Sequence, residues 1–186
     1  DELTLIYTSG TTGNPKGVVL THANMLGQMA AFEASFDWGS EDRSLSLLPW
    51  AHILGQAAEV HLLTFLGMST AFVESPTKLL ENLAEVKPTV FIGVPRVYNK
   101  IYSNVQGKVN KLPSPLKKLF FKAVDAGFRK ATGNEIGFLD EMSLKVIDRL
   151  IFKTIRKKLG GRIRGMISGG AALDADVNRF MLAAGL

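Results

Sequence analysis

The stretch YTSGTTGNPKG, residues 7–17, decides how this chain is read. Gly10, Gly13 and Gly17 allow backbone angles closed to other residues and let the main chain come close to a ligand. Thr8, Ser9, Thr11 and Thr12 add hydroxyl donors, Lys16 adds a full positive charge, and Pro15 stiffens the turn. Successive backbone N–H groups in such a turn form an anion-binding nest. The expected ligand is a phosphate. A strand-like run, LTLIY, precedes the loop, so the loop is expected at the C-terminal edge of a sheet, where α/β proteins bind ligands.

Two common phosphate loops fail on spacing. G-x-x-x-x-G-K-[ST] counted from Gly10 finds Pro15 where its second glycine belongs, and Gly17 is followed by Val18. G-x-G-x-x-G is absent as well. P-loop and dinucleotide-fold readings are therefore excluded at this position.

The surrounding chain alternates apolar runs with helix-period segments. RSLSLLP, MSTAFVE, TVFIGVP and RIRGMISGG read as further strands. THANMLGQMAAFEASF reads as a helix with Met25, Met29, Phe32 and Phe36 on one face and Thr21 as N-cap. Residues 53–66 and 77–86 read as helices, the latter closed by Lys87-Pro88. Asp174 is the expected N-cap of a last helix. Repeated strand and helix predict an α/β fold, a parallel sheet with helices on both faces. His22 and His61 are read as structural.

The 186 residues carry 46% apolar and 21% charged side chains, an ordinary globular balance. Absence of cysteine excludes disulfides and thiolate chemistry. No apolar run approaches the ~18 residues of a membrane span. The chain opens on Asp1-Glu2 with neither Met nor a signal-peptide pattern, which reads as a trimmed or partial chain with a cytoplasmic location. The net charge of +5 is uneven. Residues 1–95 hold 4 basic and 10 acidic side chains, whereas residues 96–164 hold 17 basic and 5 acidic. This basic helical block, about 96–159, looks like an insertion between two strand–helix units. Its bland reading is a set of solvated helix faces. With Phe120, Phe121 and Phe128 it is also expected to offer a peripheral membrane contact. It lacks the interleaved aromatics of a nucleic-acid surface, so no nucleic-acid partner is expected.

Extended to YTSGTTGNPKGVVLTHAN, the loop resembles the signature of the adenylate-forming superfamily of acyl-CoA synthetases, luciferases and peptide-synthetase adenylation domains. LPWAHILGQ, residues 48–56, resembles that family's second core segment. PTVFIGVPRVYNKIY and the helical insertion SPLKKLFFKAVDAGFRKA resemble its long-chain fatty acyl-CoA synthetases. RIRGMISGGAAL resembles the turn that lies along adenine. The resemblance implies that residues 1–186 are the central part of an AMP-binding domain, part of the large N-terminal domain of an adenylate-forming enzyme. It implies a fatty acid, ATP with Mg2+, and coenzyme A as reaction partners.

By the same resemblance, Thr8, Ser9, Gly10, Thr11, Thr12, Gly13 and Lys16 would hold phosphates, and Thr8 would also approach the metal. His52 would line the acyl-adenylate pocket, and Gly169, Gly170 and Ala171 would back the adenine. Arg96 is read as structural, pairing with a carboxylate. A magnesium-binding glutamate, a ribose-binding aspartate and a catalytic lysine are expected beyond Leu186. The chain alone is therefore expected to be inactive, with an open sheet edge that favours self-association. Another acid as substrate, or a nucleotide-binding module without turnover, remain alternatives.

Overall fold

The computed structural model describes residues 1–9 and 13–186. The chain opens with β1 (Glu2–Thr8), β2 (Lys16–Thr21) and α1 (His22–Ser35). Next come β3 (Arg43–Ser46), α2 (Ile53–Gly55), a π-helical turn (Gln56–His61) and α3 (Leu62–Phe65). β4 (Ser69–Phe72), α4 (Leu79–Val86) and β5 (Val90–Gly93) follow. The basic block forms α5 (Pro95–Val109), α6 (Ser114–Ala131), α7 (Phe138–Ile147), a second π-helical turn (Asp148–Phe152) and α8 (Lys153–Lys158). β6 (Gly165–Ser168) and α9 (Ala175–Ala183) close the chain.

Four strands make a parallel sheet in the order β4-β3-β5-β6. From β3 the chain moves one way to β4, then back past β3 to β5 and on to β6. Right-handed crossovers then put the β3–β4 connection on one face and the two later connections on the other. The cores obey this. Val90 and Ile92 of β5 pack with Ala58, Leu63 and Met68 on one side. Phe91 and Leu45 pack with Leu83 of α4, Ile101 of α5, Phe120 of α6 and Phe152 on the other. Helices cover both faces, as the sequence pattern implies.

The first strand departs from expectation. β1 is not part of the parallel sheet: it pairs antiparallel with β2, from Glu2 opposite Thr21 to Thr8 opposite Lys16. Val18, Val19 and Leu20 are a short apolar strand hidden inside the signature, and the Gly/Pro-rich connection lets them fold back on LTLIY. The phosphate loop is thus the tip of a hairpin. α1 begins as expected: Thr21 Oγ1 accepts from the Asn24 N–H at 3.2 Å, and Asn24 Oδ1 accepts from the Thr21 N–H at 3.0 Å, a reciprocal cap. Met25 and Met29 bury against Leu62, with Leu3, Ile53 and Ala57 at the edge of that cluster. Phe36 lies past the helix and stacks on Trp38 at 4.7 Å.

The opposite end of the sheet is fastened by Asp42, only 2% exposed. It receives Arg164 through Nε at 2.9 Å and through a second guanidinium nitrogen, Thr89 Oγ1 at 2.7 Å, and the Gly39 N–H at 3.0 Å. Residues leading into β3, β5 and β6 are thereby tied to one carboxylate.

In the basic block, Phe120 is fully buried and Phe128 lies partly buried under the Arg179 guanidinium at 5.1 Å; only Phe121 is exposed. Phe120 and Phe128, two of the three aromatics expected at a membrane, therefore serve the core, because the eight-residue step between them on α6 turns both towards α9, while Phe121 stays exposed. Arg96 is exposed and makes no ion pair among the described residues. His61 is half-buried within the packed helical segment, in keeping with a structural role.

Candidate functional site

Because the connection leaving β3 runs one way, to β4, and the connection leaving β5 runs the other, to β6, the crevice beyond the C-terminal ends of β3 and β5 is a topological switch point, where open α/β sheets bind ligands. Three segments end there. Residues 47–54 follow β3, Val94 follows β5, and Gly169–Gly170 follow β6.

Glu59 shapes the first segment. It stands in the π-helical turn, 2% exposed. Ser46 Oγ donates to its carboxylate at 2.5 Å, and the N–H groups of Leu47 and Leu48 each donate at 3.0 Å. Trp50 Nε1 donates to Ser46 Oγ at 3.2 Å. Burial pushes the carboxyl above its ordinary value, and the Ser46 hydroxyl and backbone donors oppose that rise. Sequence reasoning missed this residue. The only signal is a lone acidic side chain in a mostly apolar helical run, residues 53–66.

His52 is exposed and caps α2: its Nδ1 accepts from the Leu54 N–H at 3.2 Å, and its own N–H donates to Pro49 O at 3.0 Å. The turn closes tightly on Gly55. A Cβ there would stand 2.3 Å from Pro49 O, so no larger residue fits without moving the backbone.

Leu54 then carries the His52 segment onto the glycine turn. A Cβ on Gly169 would lie 3.0 Å from the Leu54 side chain, and one on Gly170 would meet, among the described residues, only Leu54 and Val94 within 4 Å. Gly170 has φ +82°, which favours glycine, and it and Ala171 are exposed. The Gly169 N–H donates to Gly93 O at 3.0 Å, and Tyr98 Oη donates to Ile167 O at 2.6 Å. Both bonds set the turn against β5 and α5. The Oγ of Ser168 and Oε1 of Gln56 are buried without a partner among the described residues.

At the hairpin tip, Thr8, Ser9, Gly13 and Lys16 are exposed. Thr8 Oγ1 donates to Lys16 O at 3.4 Å, and Lys16 makes no ion pair among the described residues. Gly13 has φ +88°, and none of the described residues comes within 4 Å of a Cβ position there. Gly10, Thr11 and Thr12 lie outside the described residues. The structure brings His52 and the glycine turn together through Leu54. It connects the hairpin to them through the shared cluster of Leu3, Met25 and Ile53. Exposed hydroxyls, a lysine without an ion pair among the described residues and an open glycine turn are chemically suited to a polyphosphate. Among the described residues there is no group of three His, Asp or Glu that could hold a metal ion by itself.

The sequence profile of the family described as "AMP-binding enzyme" matches residues 1–185. The chain belongs to that family. Among its curated relatives, long chain acyl-CoA synthetase 6, peroxisomal, from Arabidopsis thaliana is 40% identical over 182 residues, covering 97% of this chain and 25% of the relative. Long-chain-fatty-acid–CoA ligase 5 from Mus musculus is 37% identical over 191 residues, covering 99% and 27%. The chain thus spans about a quarter of the length of these relatives.

Solved structures share the fold. The adenylation domain of a carboxylate reductase from Mycobacterium chelonae superposes with TM-score 0.68 at 20% identity, covering 97% of this chain and 24% of that one. ATP-bound MatB from Rhodopseudomonas palustris gives 0.58 at 24% identity, covering 95% and 26%. Among the described residues no helix is long and apolar enough to cross a membrane.

Proposed function

We propose that this chain is the central, nucleotide-gripping part of a long-chain fatty acid–CoA ligase. In that reaction a fatty carboxylate attacks the α-phosphate of ATP, pyrophosphate leaves, and the thiol of coenzyme A displaces AMP from the acyl-adenylate. Such transfers depend mainly on positioning and charge neutralisation. Lys16 and the donors of Thr8, Ser9, Gly10, Thr11, Thr12 and Gly13 would hold the β- and γ-phosphates. Gly169, Gly170 and Ala171 would lie along the adenine, since a flat ring packs closely only on backbone without bulky side chains. His52 would line the acyl-adenylate pocket. Magnesium would arrive with the phosphates, with Thr8 as one hydroxyl contact.

The observation that carries this reading is the meeting of the His52 segment and the glycine turn at the switch point. Calorimetric titration with ATP, with and without magnesium, tests it. Loss of a charge-assisted contact is worth ~1.5–3 kcal/mol, so Lys16→Ala should weaken binding about tenfold to a hundredfold. Equal affinity of the variant would refute it.

A membrane contact is supported by α7 rather than by the α6 aromatics. Phe138 (75% exposed), Leu139, Met142, Val146 and Leu150 form an exposed apolar row, with Lys145 and Arg149 close in sequence. Flotation with anionic liposomes should recover the chain, and Met142→Asp should abolish recovery. Self-association would use β6, which pairs only with β5 among the described residues; a monomer in light scattering at high concentration would rule it out.

A further inference from the structure

A cleft of about 380 Å³ lies between α5 and the α8 region, away from the switch point. That volume falls within the ~300–1,000 Å³ usual for small-molecule sites. Ile101, Val105 and Val109 of α5 form one wall, and Leu150, Ile155 and Leu159 face them. The exposed side chains of Leu80 and Leu150 widen the apolar surface at its mouth.

Two cations share this cleft, Lys108 from the last turn of α5 and Lys158 from the end of α8. Each place is favourable alone, because a helix C-terminus attracts positive charge. Their proximity is a different matter. Both line the same cleft, and the neighbouring Lys158 charge holds the Lys108 ammonium below the ordinary lysine value. Neither lysine is paired with a carboxylate among the described residues. Two adjacent ammonium groups repel, and an anion between them relieves that repulsion while accepting hydrogen bonds from both.

Apolar walls with an unopposed pair of cations are complementary to an anionic amphiphile. The volume suits one chain rather than two. We propose that this cleft is a second binding site for a single-chain fatty carboxylate, distinct from the nucleotide-facing end of the sheet. The carboxylate sits between Lys108 and Lys158, and the alkyl chain lies against Val105, Val109 and Leu150. The site goes beyond the ligase reading and does not depend on it, since binding here requires no nucleotide.

The test is titration of the 186-residue chain with laurate below its micelle concentration, without ATP, by calorimetry. Saturable one-to-one binding is expected. Lys108→Gln with Lys158→Gln should weaken it at least tenfold, whereas dodecanol should bind both proteins equally weakly. Leu150→Glu, a change at an exposed position that leaves the core intact, should weaken laurate by a similar factor. Lys16→Ala should leave laurate unchanged, so failure of the nucleotide reading is separable from failure of this one. Absence of saturable binding, or equal laurate affinity in the double-lysine variant, overturns the proposal. Binding only to anionic phospholipid vesicles also overturns it, and assigns the lysines to a bilayer surface instead.

Discussion

Replacing Glu59 by Ala would remove the acceptor for three donors at once: the Ser46 hydroxyl and the N–H groups of Leu47 and Leu48. Two of these bonds are buried, and an orphaned buried donor costs ~1–3 kcal/mol. Relief of carboxylate burial offsets part of the loss, leaving a net destabilisation of about 3 kcal/mol. Glu59→Gln keeps one carbonyl acceptor but turns an NH2 towards another donor, and should cost roughly half as much.

Urea denaturation reads both as a lower midpoint at unchanged slope. Hydrogen exchange should locate the change in the Leu47, Leu48 and Leu54 amides. There is also a pH signature. The folded carboxyl titrates above its ordinary 4.5, so the native state holds the extra proton between the two values. Wild-type stability therefore falls as pH rises from about 4.5 to the folded value and is flat beyond it, while the Gln variant lacks this fall. The gap between the two proteins narrows over that window. A Glu59→Ala protein within ~0.5 kcal/mol of wild type would show that the clamp is not what holds the His52 segment.

Three other outcomes are expected. Asp42 is held down to about 2, first by its Arg164 hydrogen bonds, so its contribution is complete above 3.8 and is lost as pH falls from there towards 2. That loss is about 2 kcal/mol at most, and an acid titration of stability for wild type should be steeper there than for Asp42→Asn. Gly127 lies where α6 crosses α9, and a Cβ would stand 2.9 Å from Ala183 Cα; Gly127→Ala should cost ~1–3 kcal/mol in thermal or urea melts. Tyr98→Phe strips Ile167 O of its donor and should cost ~1–3 kcal/mol, with faster exchange at Gly169 than elsewhere in the sheet.

Local chemistry was the part that could be read in advance. Thr21, Asp174 and the Met25–Met29 spacing announce their helices, and alternating elements announce a parallel sheet, because each rests on neighbours in sequence. The hairpin did not show, because Val18–Leu20 is too short a run to stand out from the loop before it. Glu59 was hidden for another reason: its partners are 11 to 13 residues away and include backbone groups with no sequence signature. The burial of Phe120 and Phe128 depends on α9, which a charge count over residues 96–164 does not contain. The signature loop pointed to a phosphate ligand, but only topology placed the His52 and glycine segments at one crevice.

The Asp42–Arg164 pair also constrains the order in which the molecule can be assembled. Its members are 122 residues apart, and the whole basic helical block lies between them. A chain emerging from the ribosome presents β3, β4 and β5 long before Arg164 exists. Through that interval Asp42 has Thr89 and Gly39 but no cation, so burying it is unfavourable. β3, β4 and β5 must then wait, loosely paired, until the insertion has folded and delivered β6. Closing so long a loop is slow, and the waiting sheet exposes both its edges. The period before residue 164 is synthesised is therefore when this chain most needs protection from aggregation.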